Sequence, residues 1–135
     1  MLLQVGVKAF LRNKDGEYLL IKRSPEKYPD VKDFWDIVGG RIDPGTNLME
    51  NLAREVREET GLVITSEPRL IAAQDIIPNA GKHIVRLTYV ADASGEVVLD
   101  KEENTEYQWL TLAELKTQPN LDKYAKAVLD EKHLS

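Results

Sequence analysis

Three glutamates on one predicted helix are the side chains of this sequence best placed to do chemistry. Glu55, Glu58 and Glu59 lie within the strongest helical pattern, residues 48–60. At about 100° per residue they fall along one edge of the apolar stripe, where unpaired carboxylates repel one another and their pKa values rise. A cation between them would relieve the repulsion, and oxygen ligands suit a hard divalent ion such as Mg²⁺ or Mn²⁺. An exposed helix face rich in glutamate and arginine is the alternative, and the carboxylates alone do not decide between the two.

The helix that carries these carboxylates has signals at both ends. Asn47 is predicted as its N-cap, with Glu50 at the capping-box spacing, and Gly61 stands where a C′ glycine ends a helix. Arg54 can pair with Glu58 and Glu50, which fixes rotamers but does not neutralise three carboxylates. The predicted buried stripe of the helix consists of Leu48, Met49, Leu52, Ala53 and Val56.

Composition and charge exclude several other kinds of site. The 135-residue chain has no cysteine, which excludes disulfides, thiolate zinc sites and cysteine nucleophiles. Its two histidines, His83 and His133, are too few for a histidine-built metal site. The net charge of −5 argues against binding to a nucleic acid polymer or an acidic membrane. No apolar run would span a bilayer and residues 1–10 lack the basic start of a signal peptide, so we expect a cytoplasmic protein.

The order of the predicted elements indicates one mixed α/β domain over residues 1–135. Hydrophobicity alternates over 2–11 and a strand resumes over 17–23, which predicts a hairpin around the turn at 13–16. A loop over 24–34 and a short extended piece then lead to the glycines that precede the helix. Beyond the helix, strands are predicted at 69–77, 83–92 and 106–110, a turn at 78–81, and helices at 112–116 and 121–132.

The spacing around the glutamates resembles the Nudix box. That motif is a glycine, five residues, a glutamate, seven residues, and then Arg-Glu-aliphatic-x-Glu-Glu-x-Gly-aliphatic. Here Gly40 is followed after thirteen residues by segment 54–62, which matches every defined position, and Gly39-Gly40 matches the paired glycines at the head of the motif. The departures are Thr46 in place of the first glutamate, Asp43 where glutamate is common, and Val38 where a proline often precedes the glycines.

The resemblance implies a Nudix fold, in which a mixed β-sheet is sandwiched between α-helices. It also implies a hydrolase that cleaves a nucleoside diphosphate linked to another group, X, by attack of water on phosphorus. The cofactor implied is Mg²⁺ or Mn²⁺, which would stabilise charge on the phosphoryl oxygens and reconcile an acidic protein with an anionic substrate. A homodimer is common in such a family, and the sequence does not decide the oligomeric state.

By the same resemblance, the metal ligands are expected to come mainly from the predicted helix. Glu55 and Glu59 are the leading ligands, Glu58 lies beside them, and the carbonyl oxygen of Gly39 completes the sphere. Arg54 and Gly61 support the motif. The family varies in which carboxylate acts as the base, and the implied catalytic residues are Glu55, Glu58 and Glu103.

Glu103 belongs to a second acidic cluster, where related enzymes often place a further metal-binding or basic glutamate. Glu103 is preferred to Glu106 because Glu106 directly begins a predicted strand, although a solvated loop acid is the alternative. Arg23, at the end of the second strand, stands where the family commonly holds a phosphate. Gly40 and Trp35 complete the expected substrate site, with Trp35, Tyr28 and Phe34 as aromatic side chains that could stack on a base.

The substrate is defined less closely than the reaction. A nucleoside triphosphate, cleaved to a monophosphate and pyrophosphate, is preferred because strand 83–87 resembles that type and the chain is compact without an N-terminal extension. ADP-ribose or another nucleotide sugar is the alternative, since Pro78 lies sixteen residues beyond Leu62. Thr46 motivates a third interpretation, a Nudix-fold sensor that binds a nucleotide and turns it over poorly.

Overall fold

The computed structural model of the protein describes residues 1–131 and Leu134. Within them, no helix has the length and apolar character that crossing a membrane requires. In chain order the elements are β1 (Leu2–Arg12), β2 (Tyr18–Arg23), β3 (Trp35–Asp36), β4 (Val38–Arg41), α1 (Leu48–Thr60), β5 (Val63–Ile64), β6 (Arg69–Asn79), β7 (Lys82–Ser94), β8 (Asn104–Leu110), α2 (Leu112–Lys116) and α3 (Lys123–Asp130).

Strand β1 lies at the centre of a mixed sheet. β7 runs parallel to it along its whole length, from Leu2 opposite Lys82 to Arg12 opposite Asp92. β4 pairs antiparallel with the other edge of β1, while β6 pairs with β7, and β2 pairs with β3 and β8. Parallel pairing requires a long crossover, which the chain between β1 and β7 supplies with five further strands and helix α1.

Helices cover both faces of this sheet. α1 packs Leu52 against one face, over a core to which β1 contributes Val7. Successive side chains of β1 point to opposite faces of the sheet, and Phe10 belongs to a second core on the other face. Helices α2 and α3 cover this core and contribute Leu115 and Val128. A strand buried on both faces needs this alternation of apolar residues. The predicted α/β class, a mixed sheet between helices, is confirmed.

The predicted hairpin of the first two strands is the main difference in topology. β1 and β2 pair only where Arg12 lies opposite Tyr18. Over the rest of its length β2 pairs antiparallel with β8, from Tyr18 opposite Leu110 to Arg23 opposite Asn104. The edge of β1 that a hairpin partner would occupy is taken by β4, which carries the paired glycines.

Smaller differences concern the ends of elements. β6 and β7 extend through the predicted turn at 78–81, so that only Ala80 and Gly81 connect them. β5 was not predicted because two residues show no periodicity, and β8 begins at Asn104 rather than at 106. α3 begins at Lys123 because Asp122 is its N-cap, and the predicted helix end at residue 132 lies outside the described residues.

Candidate active site

Helix α1 has the two ends that the sequence predicts. The side chain of Asn47 accepts a hydrogen bond from the N–H of Glu50 at 2.9 Å, which satisfies one of the free donors of the first turn. Gly61 adopts φ of 73°, and its N–H donates to the carbonyl oxygen of Arg57 at 2.9 Å. These caps fix the register of the helix and therefore the positions of its glutamates.

The buried face of α1 is turned relative to the predicted stripe. Met49 is 39% exposed and Ala53 is also exposed, so both were wrongly predicted as buried. The buried positions are Asn51, Leu52, Val56 and Thr60. On a helical projection this arc places Glu55 and Glu59 near the middle of the face that meets the sheet. The two carboxylates therefore point into the protein rather than along its edge.

Two glycines of β4 permit this close approach of helix and sheet. A Cβ atom on Gly40 would lie 2.8 Å from a carboxylate oxygen of Glu55. The N–H of Gly39 donates to Oε2 of Glu59 at 3.4 Å. The glycines thus form a cradle for the two carboxylates, in which a side chain at Gly40 would take the space of Glu55 and the N–H of Gly39 contacts Glu59. The observed contact uses the N–H of Gly39, and its carbonyl oxygen stays a predicted ligand.

Asn51 is a supporting residue that the sequence did not reveal. Its fully buried side chain accepts from the N–H of Asp43 at 2.9 Å and donates to the carbonyl oxygens of Thr46 at 3.0 Å and Asn47 at 2.6 Å. These bonds order the loop between β4 and α1 without the glutamate that Thr46 replaces. A polar residue at a buried helix position was the available signal.

Glu55 and Glu59 form a pair that a cation would stabilise. Their carboxyl groups are close enough for Glu55 to raise the pKa of Glu59. Burial raises the pKa of Glu59 to about 8, with Glu55 raising it and with Lys8 and the Gly39 N–H acting in the opposite direction. Two neighbouring carboxyl groups in a partly buried cradle favour a protonated form unless a cation lies between them. The donor set, carboxylate oxygens alone, fits a divalent ion such as Mg²⁺.

Glu58 does not lie with this pair. Its side chain is 59% exposed and accepts from Nη1 of Arg54 at 3.3 Å. In the part of the chain that the structure describes, no three histidine, aspartate or glutamate side chains are close enough together to hold an ion. The expected cluster of three carboxylates is therefore a pair, with a neighbour that would have to leave Arg54 to join it.

Arg54 supports the loop as well as the helix. Its Nη1 also lies 3.4 Å from Oε1 of Glu55, a contact that the sequence did not predict. The predicted partner Glu50 is replaced by Asp43, whose carboxylate lies 3.2 Å from Nη2, and by the side-chain oxygen of Asn51 at 3.0 Å. The guanidinium therefore links the loop before α1 to the middle of the helix.

A cavity of about 150 Å³ beside Glu59 brings together several predicted site residues. Its lining is Lys8, Ile21, Arg23, Tyr28, Asp36, Ile37, Gly39, Glu59, Glu103 and Asn104. Glu55 adjoins this group through its interaction with Glu59, and Gly40 through its closeness to Glu55. A larger groove, about 880 Å³ at the turn after β1, contains none of the predicted site residues. Chemistry rather than size therefore identifies the candidate site.

Glu103 faces this cavity, whereas Glu106 lies on the neighbouring strand. Glu103 forms an ion pair with Lys27 and accepts from the hydroxyl of Tyr28 at 2.6 Å. These hydrogen bonds hold the pKa of Glu103 below its ordinary value. Glu106 instead pairs with Lys22 across β2 and β8 at 2.9 Å. Of Glu103 and Glu106, the structure places Glu103 beside the cavity that Glu59 lines.

Asp36 is the main residue of the cavity that the sequence did not single out. Its buried carboxylate accepts from Arg23 at 2.7 Å and from Lys8 at 3.1 Å. Arg86 approaches its second oxygen at 3.3 Å. Burial by itself would raise the pKa of Asp36, but Lys8, Arg86 and Arg23 hold it well below its ordinary range. An acid inside the apolar stretch 35–38 was the available signal.

Trp35 lies apart from this cavity. Its side chain belongs to the second core, and the residue is 6% exposed. Its N–H donates to the carbonyl oxygen of Asn120 at 3.0 Å, and its carbonyl oxygen accepts from the N–H of Asp122 at 2.7 Å. The expected stacking role is therefore corrected to a structural one, because the ring is packed inside the protein. Tyr28 is an aromatic side chain that does line the cavity.

The raised pKa of Glu59 predicts an unusual pH dependence for the metal-free protein. The pKa of Glu59 is raised to about 8 in the folded protein, whereas that of an unperturbed glutamate is 4.5. The stabilising contribution is complete below that lower value and is lost as the pH rises to 8. We expect the free energy of unfolding to fall by on the order of 2 kcal/mol from pH 5 to pH 8, because water screens part of the shift.

Urea denaturation in the presence of a chelator measures this slope. Asp36 and Glu103, whose pKa values are lowered, lose their stabilising contributions only in more acidic solution. The Glu59→Gln variant should show no fall in this interval. A fall of equal size in the variant would assign the pH dependence to another group.

Known proteins resemble this chain over most of its length. A family model described as NUDIX domain matches residues 2–131. Nudix hydrolase 8 of Arabidopsis thaliana is 29% identical over 133 residues, which cover 94% of this chain and 35% of that protein. The NAD-capped RNA hydrolase NudC of Stutzerimonas stutzeri (strain A1501) is 32% identical over 116 residues, which cover 85% and 40%. The chain thus spans less than half the length of these two relatives.

A solved structure is similar over its whole length. The crystal structure of the MutT NUDIX hydrolase from Burkholderia pseudomallei has a TM-score of 0.78 and 29% sequence identity. The alignment covers 96% of this chain and 98% of that one. The similarity therefore includes the sheet, the helices on both faces and the segment that carries the paired glycines.

Proposed function

This chain belongs to the Nudix family, whose domain model matches residues 2–131, and on that premise we propose that it hydrolyses a phosphoric anhydride bond in a nucleoside diphosphate linked to a further group, X. The observation that carries the proposal is the pairing of Glu55 with Glu59 in the cradle formed by Gly39 and Gly40. This acidic pair adjoins a cavity that also contains the cation of Arg23. Carboxylates for a divalent ion and a cation for phosphate are the two parts that such a reaction requires.

The proposed ligands of Mg²⁺ or Mn²⁺ are the carboxylates around α1. Glu55 and Glu59 would hold the ion, joined by Glu58 once its side chain leaves Arg54, and by Glu103 from the segment before β8. When bound, such an ion lowers the pKa of the attacking water and stabilises charge on the phosphoryl oxygens. The carbonyl oxygen of Gly39 is the proposed backbone ligand.

Glu55 is the proposed proton acceptor. Glu103 accepts hydrogen bonds from Lys27 and Tyr28, which lower its pKa and make it a weaker base. Glu55 forms an ion pair with Arg54, the one cation paired with it among the described residues, and its side chain is 15% exposed, which shields it from bulk water. Glu103 is then proposed to position the ion or the water rather than to take the proton.

Arg23 and Lys8 are proposed to bind the phosphates. Both side chains line the cavity, and Asp36 holds each of them by one contact. The guanidinium of Arg23 has five N–H donors, so the nitrogen held by Asp36 leaves others for a phosphate oxygen. Two cations beside the carboxylates suit a polyphosphate, and a nucleoside triphosphate is therefore the first substrate to test.

A substrate panel with product identification tests the proposal. The protein is incubated with Mg²⁺ or Mn²⁺ and with nucleoside triphosphates, ADP-ribose, nucleotide sugars and NAD. We expect a nucleoside monophosphate and pyrophosphate from at least one triphosphate. A monophosphate and a sugar phosphate would instead establish the nucleotide-sugar alternative. Binding without any turnover would establish the sensor and contradict the proposed hydrolysis, although the ordered loop around Thr46 gives no support to that outcome.

Glu103 and Glu106 give a matched test of which carboxylate serves the cavity. Glu103→Gln is expected to lower kcat/KM about tenfold more than Glu106→Gln, because Glu103 lines the cavity with Glu59 whereas Glu106 pairs with Lys22. A tenfold loss is a modest effect for removing one positioned carboxylate from an active site. The two variants lose the same charge from the same acidic segment. Steady-state kinetics on the substrate found by the panel measures the difference. A larger loss in Glu106→Gln would move the functional carboxylate to β8.

A further inference from the structure

Asp36 and Arg86 form a buried ion pair directly behind the cations of the cavity. We infer that Arg86 is a positioning residue, which holds the Asp36 carboxylate so that Arg23 and Lys8 stay directed towards the diphosphate of the substrate. The inference rests on the proposed function, in which those two cations bind phosphate. It assigns a role to a charged network that extends from the cavity to the start of α3.

The two oxygens of Asp36 face different parts of the protein. Oδ2 accepts from Nη2 of Arg23 at 2.7 Å and from Nζ of Lys8 at 3.1 Å, on the side of the cavity. Oδ1 accepts from the N–H of Ile37 at 2.7 Å and from Nη2 of Arg86 at 3.3 Å. One carboxylate thus connects two cations that line the cavity to a third that does not.

Arg86 bridges two carboxylates in the interior. Its side chain is 5% exposed, with Nη2 on Asp36 and Nη1 on Asp122 at 2.9 Å. Asp122 also accepts from the N–H groups of Tyr124 and Ala125, which fixes it as the N-cap of α3. A planar guanidinium can hold both carboxylates at once, whereas a lysine ammonium is a single point charge. Helix α3 therefore anchors the rear of the network.

The charge of the network leaves Arg23 and Lys8 able to attract an anion. Asp36 alone neutralises one of the three cations that surround it, and Asp122 neutralises a second. Without Arg86, Arg23 and Lys8 would have to balance Asp36 by themselves. Both already lie within hydrogen-bond distance of Asp36, and without Arg86 the two cations would be matched by two carboxylates, Asp36 and Asp122, so the cavity would lose attraction for phosphate.

A double-mutant cycle on binding tests this coupling. The probe is methylenediphosphonate, an analogue of diphosphate that cannot be hydrolysed because a CH₂ group replaces the bridging oxygen, titrated calorimetrically in Mg²⁺ into the full chain. We expect Arg86→Met to weaken binding about fivefold, Arg23→Met about tenfold, and the double variant also about tenfold, because neighbours that act through one another are not additive. Arg69→Met, an exposed arginine on β6, is the matched control and should bind as wild type does.

A purely structural role of Arg86 would give a different pattern of binding affinities in this cycle. If the double variant weakens binding by the product, about fiftyfold, Arg86 does not act through Arg23 and the inference is wrong. If Arg86→Met does not fold, as judged by its thermal transition, Arg86→Lys replaces it, since it keeps the buried charge but lacks the planar guanidinium that faces the two carboxylates. Binding by folded Arg86→Lys within error of wild type would also overturn the inference, and about threefold weakening would support it.

The same titration separates this inference from the proposed function. Coupled binding of methylenediphosphonate without turnover of any substrate would contradict hydrolysis and leave the positioning role supported. Turnover by a wild-type protein that does not bind methylenediphosphonate would support hydrolysis and overturn the positioning role.

Discussion

Glu59→Gln is expected to lower kcat by at least about 100-fold, the scale observed when charge stabilisation or proton transfer is removed from an active site. The amide keeps the size of the side chain but cannot supply the negative charge that would hold a divalent ion beside Glu55. Steady-state kinetics at saturating Mg²⁺ measures the loss. The matched control is Glu50→Gln, the same substitution in the exposed first turn of α1, which should keep kcat within about twofold.

Thermal denaturation separates lost chemistry from lost folding in this variant. Burial raises the pKa of Glu59 to about 8, so at neutral pH the metal-free protein carries a protonated side chain that glutamine resembles. The metal-free Glu59→Gln variant should therefore be as stable as wild type or more so. Mg²⁺ should raise the melting temperature of wild type and not that of the variant. Wild-type turnover in Glu59→Gln would show that the metal assignment is wrong.

The acidic half of the candidate site could be predicted because it lies in one stretch of chain. Spacing alone brings Glu55 and Glu59 to one side of a helix, and the caps at Asn47 and Gly61 are local signals. The angular position of the buried face was less secure. Met49 and Ala53 are apolar but exposed. Asn51 is polar but buried, because its hydrogen bonds to the preceding loop offset the cost of removing its side chain from water.

The basic half of the site could not be predicted in the same way. Lys8, Asp36 and Arg86 meet across 28 and 50 residues of sequence, and no periodic pattern connects them. Their meeting depends on the parallel register of β1 and β7, in which Gly6 lies opposite Arg86 and Lys8 opposite Thr88. A parallel pair is specified by packing on both faces, so its register is absent from any single segment.

The topology shows the same division between local and distant information. The apolar pattern correctly identified both strands between residues 2 and 23, but the short turn between them favoured pairing with the nearest strand. The structure pairs β2 with β8 instead, and this pairing brings the end of β2, with Arg23, next to the segment that carries Glu103. The loop from 24 to 34 then places Tyr28 and Lys27 on Glu103. The cavity therefore depends on the pairing of β2 with the distant strand β8, which no local pattern indicates.

Gly39→Ala is expected to prevent folding or to lower the free energy of unfolding by at least about 4 kcal/mol, the range reached by severe steric conflicts. A Cβ atom at this position would lie 2.0 Å from the carbonyl oxygen of Val7, which belongs to the central strand and cannot move without breaking the sheet. The backbone of Gly39 also has φ of 144°, a conformation that side chains rarely adopt. Urea denaturation, or the soluble yield if no transition is seen, measures the effect.

Two glycine variants separate steric conflict at the sheet from the general cost of losing a glycine. Gly45→Ala has positive φ, but no described atom lies within 4 Å of its Cβ, so a cost of only about 1–2 kcal/mol is expected. Gly40→Ala meets the carboxylate of Glu55, a flexible group that can turn away, so the protein should fold but lose turnover. A Gly39→Ala protein as stable as Gly45→Ala would show that β4 does not need the close approach to β1. The paired glycines would then serve the carboxylates alone, whereas the geometry assigns Gly39 to the sheet and Gly40 to the site.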